Sequence, residues 1–273
     1  VGEQNSCARF TGEVGTLQHH EDFGRRLCVS VDAEGYGQRD DRAQYDMQRT
    51  LVQILDTAAA RAGLDRTTWR RQGVGDEELS LVPLGPDEPR LVDEFPRQLD
   101  AELARFNRSR SEERLRLRMA LHVGVAYPAD NGYAGQGIVA VSRLLNATPL
   151  RQALKLATSA NLAWLVSEVV FTDVIRQGHT TLGTNDFRQV EITEKEYRGV
   201  AWLRVPGVDV HRLDLVSATA SPASEQPPAT PRSGAPTPEA ETRSGRAPLV
   251  TNIFNHEVDA THGTFGISGG VHG

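Results

Sequence analysis

Two carboxylates stand at places suited to metal-dependent phosphate chemistry. Asp32 ends the apolar run Leu27, Cys28, Val29 and Val31 inside VSVDAEGYG, and Asp76 lies in a Gly-Asp turn inside RRQGVGDEELSLVP. A carboxylate at a strand end and a second one in a turn between two strands offer hard oxygen ligands to Mg2+ or Mn2+, which also accept phosphate oxygens. Taken singly, Asp32 fits a strand-end cap and Gly75-Asp76 an ordinary turn. Their pairing, in this order and with Gly35 and Gly37 allowing a tight backbone path after Asp32, points to chemistry.

The surrounding pattern supplies elements to hold them. Leu27 to Val31 reads as a buried strand, followed by a helix that places Met47, Leu51, Ile54, Leu55, Ala58 and Ala62 on one face and ends at Gly63. Trp69 to Gln72 and Leu79 to Val82 read as a hairpin turning through Gly73, Gly75 and Asp76. Leu91, Phe95, Leu99, Leu103 and Phe106 recur at helical spacing, with Pro96 tolerable in the first turn of that helix. Leu115, Leu117, Met119 and Leu121 alternate with Arg116, Arg118 and Ala120, which is strand spacing. A helix around Val139 to Leu145, a strand over Leu162 to Val166, a helix from Glu168 to Ile175 capped by Ser167, and a closing strand over Gly199 to Val205 complete the domain. This order predicts an α+β fold, a mixed sheet with helices packed on it.

The segments VSVDAEGYG, RRQGVGDEELSLVP, LRLRMALHVGVAYP and GYAGQGIVAVSRLL together resemble the catalytic domain of class III nucleotidyl cyclases, over roughly Arg25 to Pro206. The family's first motif, approximately D-x-x-G-F, is matched by Asp32, Gly35 and Tyr36, and the Gly-Asp of its second by Gly75 and Asp76. The resemblance implies a ferredoxin-like palm in which Asp32 and Asp76 bind two Mg2+ or Mn2+ ions. It implies conversion of a nucleoside triphosphate to a cyclic nucleotide and pyrophosphate. It also implies a homodimer whose sites lie between subunits, with the metal carboxylates from one subunit and a phosphate-stabilising arginine, here Arg143, from the other. An ordinary salt-bridging arginine fits the position of Arg143 equally well. Val139 stands where the family has an asparagine that orients the ribose, and an apolar side chain cannot make those hydrogen bonds. At the positions where adenylate cyclases pair a lysine with an aspartate to read the base, this chain has Gln72 and Gln136. Two amides can read a different base, or can be plain polar surface.

Other residues carry less. His122 alternates with an apolar strand face and reads as structural. Arg114, Arg116 and Arg118 fit either phosphate contacts or a solvated strand face, and the adjacent His19 and His20 fit the surface better than a metal site. No phosphate-loop, nucleophile-elbow or cysteine-rich zinc pattern occurs.

Bulk properties set the context. The 273-residue chain has two cysteines, Cys7 and Cys28, and a formal charge of −6. That is no disulfide framework, and the charge weighs against nucleic-acid binding. Without a membrane-length apolar run or a leader pattern at its start, the chain is expected to be cytoplasmic. Four segments are expected: a lead-in over residues 1–24, the cyclase-like domain over 25–206, a Pro/Ser/Ala-rich linker over 207–248, and a Gly/Asn-rich interaction tail over 249–273. The tail, with Asn252, Phe254, Asn255, Val258, Gly266, Ile267, Gly269, Gly270, Val271 and His272, resembles bacterial amyloid-signalling motifs of the RHIM style. That implies cross-β recruitment of an effector with a similar tail. Two functions follow as expectations: a cyclase of bacterial stress or antiphage signalling, or a catalytically inactive cyclase-like module that recruits its partner through the tail.

Overall fold

A computed structural model describes residues 24–110 and 114–215. The expected lead-in, with Cys7, His19 and His20, falls outside those residues except for Gly24. So do the interaction tail and all of the linker beyond Leu215. The chain divides into two units, residues 1–222 and 223–273, and the described residues all belong to the first.

A seven-stranded mixed sheet is built from β1 (Arg25–Ala33), β2 (Arg70–Val74), β3 (Glu77–Pro83), β4 (Leu117–Val125), β7 (Leu162–Ser167), β8 (Arg188–Glu194) and β9 (Tyr197–Arg204). Its spatial order is β2-β3-β1-β4-β7-β9-β8. A small hairpin, β5 (Tyr127–Ala129) with β6 (Gly132–Ala134), stands apart. Helices α1 (Asp41–Arg61), α2 (Glu88–Val92) and α3 (Glu94–Asn107) fill the first half, and α4 (Gln136–Leu145), α5 (Thr148–Leu156) and α6 (Glu168–Val170) the second. Strands β1 to β4 pair antiparallel in the order β4-β1-β3-β2, and α1 and α3 lie between them in sequence. This is the ferredoxin-like βαββαβ unit. β7 joins it parallel to β4, and β9 and β8 extend the sheet antiparallel.

Alternation along β1 feeds two cores. Leu27, Val29 and Val31 pack with Leu51, Leu55, Leu99, Leu103 and Trp164 under α1 and α3. Cys28 turns to the other face, where Ala120 and Leu165 meet Val141 and Leu144 of α4 and Leu150 and Leu154 of α5. Even-numbered residues of β1 and β4 therefore face α4 and α5. Glycines let α4 sit directly on the sheet: a Cβ on Gly124 would lie 2.7 Å from Gly137 Cα, and one on Gly135 (φ 121°) 2.3 Å from the Val125 carbonyl oxygen.

Three readings of the sequence change. The helical stretch from Leu91 to Phe106 is two helices broken at Asp93 (φ −115°, ψ −68°). Pro96 has no N–H for the Val92 carbonyl, and its ring crowds that carbonyl in a continuous helix. The buried Asp93 carboxylate fixes the break by accepting from Thr181 N at 2.7 Å and Thr181 Oγ1 at 2.8 Å. Ser167 occupies the N-cap position of α6, yet its hydroxyl makes no capping bond. The helix runs into a π-turn over Phe171–Ile175, closed by Arg176 N donating to Phe171 O at 2.8 Å. Third, the arginine row before and along β4 is neither a solvated face nor free for phosphate. Arg114 donates to the carbonyls of Thr158 and Ser159, and Arg116 to those of Leu154, Ala157 and Ala160, closing the carboxyl end of α5. Past Pro206 the chain stays on the body: Val210 is buried, and Arg188 Nη1 donates to the Leu213 carbonyl at 2.6 Å.

Candidate active site

Sheet register assembles a charged row at the carboxyl end of β1. Asp32 lies opposite Glu77 of β3 on one side and Arg118 of β4 on the other. All three side chains belong to the α4 face. Arg118 holds the Asp32 carboxylate as a fork, with Nε donating to Oδ1 at 2.9 Å and Nη2 to Oδ2. Glu77 accepts from Ser30 Oγ at 2.8 Å. Asp76 precedes Glu77 in the β2–β3 turn, where Gly75 takes φ 61°. The Tyr36 ring lies beside that turn, 3.7 Å from where a Cβ on Gly75 would be, and its hydroxyl accepts from Gln48 Nε2 at 2.5 Å. Tyr36 thus ties the Asp32 loop to the Asp76 turn and to α1.

Burial pushes the Asp32 carboxyl up to about 6; Arg118 opposes this, while the nearby charges of Asp76 and Glu77 add to it. Asp76 is also raised, chiefly by burial, with Arg118 opposing. One guanidinium therefore serves two half-buried carboxylates that repel one another. Among the described residues no group of three or more His, Cys, Asp or Glu side chains forms a ready-made metal cage. A pair of carboxylates completed by phosphate oxygens and water is nonetheless the usual manner of binding Mg2+ at phosphoryl-transfer sites, and the donor set here fits it.

Of the remaining candidates, Gln72 borders the charged row at Glu77. Gln72 faces a cavity of about 340 Å3 that it shares with Ser30, Glu77, Asn131, Tyr133 and Ser142. The glutamine packs against the β5–β6 hairpin, where a Cβ on Gly132 would lie 2.4 Å from Gln72 Oε1. Gln136 is exposed in the first turn of α4 and is not part of that cavity's lining. Arg143 pairs with Glu196 in the β8–β9 turn, through Nη2 at 2.8 Å and Nε at 3.2 Å. That turn lies three to four strand spacings from β1, roughly 14–19 Å, so within one chain Arg143 is not brought to the two aspartates. Val139 is half-buried on α4. His122 is structural: burial first, and then the Arg25 charge, lower its pKa to about 4, so the ring is neutral.

Sequence reading did not single out Glu77, Asn131 or Tyr133, and it gave Arg118 no partner. The signal for Arg118 was its alternation on the strand that becomes the neighbour of β1, but register is what sets it against Asp32.

No family model matches the chain, and no curated protein matches it. Among solved structures the chain is similar to an adenylate/guanylate cyclase/hydrolase from Silicibacter pomeroyi, at 18% identity, over 68% of this chain and 99% of that one, with a TM-score of 0.48. It is similar to the guanylyl cyclase Cya2 at 14% identity, over 71% and 98%, with a TM-score of 0.46. It is also similar to the catalytic core of a rhodopsin-guanylyl cyclase with converted specificity, in complex with ATPalphaS, at 12% identity, over 68% and 97%, with a TM-score of 0.47.

Proposed function

We propose that this protein is a divergent nucleotidyl cyclase that converts a nucleoside triphosphate into a cyclic nucleotide and pyrophosphate as a homodimer. The observation that carries this reading is the convergence of Asp32 and Asp76 on one rim of the sheet, coupled through Arg118 and tied together by Tyr36. Asp32 and Asp76 would hold Mg2+ or Mn2+, which would supply polarisation of the ribose 3′-hydroxyl and neutralisation of the triphosphate. The ribose 3′-hydroxyl gives up its proton to solvent water, its oxygen bonds to the α-phosphorus, the bond from that phosphorus to the oxygen bridging to the β-phosphate breaks, and pyrophosphate leaves. Asp32 and Asp76 would act by holding those ions, while Arg118 sets the charge on Asp32. Arg143 of a second copy, released from Glu196, stabilises negative charge on the phosphates. Gln72 reads the base from its cavity, and Gln136 assists from the end of α4.

A second reading has its own support. Val139 offers no hydrogen bond to a ribose, and Arg118 already neutralises Asp32 without a cation. Both fit a silent palm domain that binds a nucleotide or protein. In either reading residues 249–273 form a recruiting tail beyond a linker. The tail's Gly- and Asn-rich pattern supports a place in bacterial stress or antiphage signalling, with an effector carrying a similar tail. No described helix is long and apolar enough to cross a membrane, and a cytoplasmic site of action is part of the proposal.

Incubating the full chain separately with ATP, GTP, CTP and UTP plus Mn2+ tests the choice. A cyclic product from at least one triphosphate, absent from Asp76→Ala, supports the enzyme. Nucleotide binding without product supports the silent domain.

A further inference from the structure

On the face of the sheet opposite Asp32, a cleft of about 600 Å3 opens between the amino-terminal half of α1 and the carboxyl end of α3. Four arginines line it: Arg39 from just before α1, Arg42 and Arg49 from its first half, and Arg110 from beyond α3. Among the described residues many arginines are committed to carboxylates, as Arg66 is to Glu78, Arg97 to Asp93, Arg118 to Asp32 and Arg204 to Asp186. Those of the cleft are not. Arg39 and Arg110 donate only to backbone carbonyls, of Arg114 at 3.3 Å and Phe106 at 2.9 Å. Arg42 and Arg49 make no ion pair or hydrogen bond among the described residues.

Among the described lining residues two carboxylates face four guanidinium groups: Asp40, which also caps α1 with its Oδ1 accepting from Ala43 N at 2.8 Å, and Asp46. Arg42 and Arg49 are separated by two turns of a 21-residue helix, about 10 Å along its axis, so they bracket an object of that length. Gln53 adds a neutral donor at one end, and Met47 and Leu115 give an apolar floor.

We infer that this cleft binds the phosphate groups of a small soluble anion, with Arg42 and Arg49 as its principal ligands. The volume is that of a small-molecule site, and guanidinium forks match phosphate oxygens two at a time. In a chain of net charge −6, a local excess of uncommitted cations also draws an anion to this place rather than to the surface at large. The site is separate from the proposed cyclase centre, because the sheet lies between them and no residue is shared.

Calorimetric titration of the full chain with pyrophosphate, without divalent cations, tests this. The wild type should bind, Asp32→Ala/Asp76→Ala should bind equally well, and Arg42→Gln/Arg49→Gln should bind at least tenfold more weakly. Both arginines are exposed, so the double substitution leaves the core intact; Arg42→Lys/Arg49→Lys, which keeps the charge but loses the forks, should fall between. No heat from the wild type overturns the proposal. So does binding that the aspartate variant loses and the arginine variant keeps, which would place the anion at the cyclase centre instead.

Discussion

Asp32 has two possible cations, and the protein already contains one of them. Arg118 grips both carboxylate oxygens, so a divalent ion must share or displace that fork. Arg118→Ala should leave Asp32, Asp76 and Glu77 uncompensated and cost roughly 3 kcal/mol of stability, read by urea unfolding. Added Mn2+ should then raise the melting temperature of the variant more than that of the wild type; an equal rise would mean that the ion does not bind where Arg118 acts. The raised pKa of Asp32 gives a pH signature. Its folded value, about 6, lies above the ordinary aspartate value of 3.8, so the stability this group contributes is full below the lower value and is lost as pH rises through about 6. Metal binding runs the opposite way, because it needs the carboxylate. Mn2+ affinity should therefore fall about tenfold from pH 7 to pH 5 in the wild type, and a flat profile in a titration followed by Mn2+ electron resonance would exclude Asp32 as a ligand.

At the scale of elements, α4 is the piece whose position matters most, because it carries Arg143 and closes one side of the Gln72 cavity. Its seat depends on Gly124 and Gly137 touching without side chains. Gly137→Ala, whose Cβ would lie 2.9 Å from Gly124 C and Val125 O, should cost roughly 1–3 kcal/mol in urea and shift α4. Unchanged stability would show that the helix is free to move off the sheet. The elements that seat the aspartates were legible in the sequence, because β1, β4, β7 and α1 alternate or repeat strongly enough to declare their buried faces. The hairpin around Asp76 was legible from its glycines. The short elements were not: β5 and β6 have three residues each, and the edge strand β8 has only Val190 and Ile192 as apolar residues. α5 was passed over although Leu150, Ala153 and Leu154 sit at helical spacing, its nine residues being too few to stand out. The two aspartates could be read locally, each in its own motif. Their partners could not, because Arg118 and Glu77 meet Asp32 only through register across three strands, and Glu196 meets Arg143 only through the far edge of the sheet.

Taken whole, one chain holds both aspartates at one place and Arg143 at another, too far apart to act on a single phosphate chain. If the site is that of a cyclase, two copies must complete it, each lending its Arg143 to the other's carboxylates. Subunit mixing tests this most directly. Asp32→Ala and Arg143→Ala are each expected to be inactive with Mn2+ and the preferred triphosphate, since every homodimeric site lacks one essential group. Mixed in equal amounts and allowed to exchange, they should recover up to about a quarter of wild-type turnover, because half of the dimers are then heterodimers with one complete site of two. Cyclic product from the mixture and from neither variant alone is the result predicted here. No recovery despite demonstrated exchange, or full activity in Arg143→Ala alone, would contradict it.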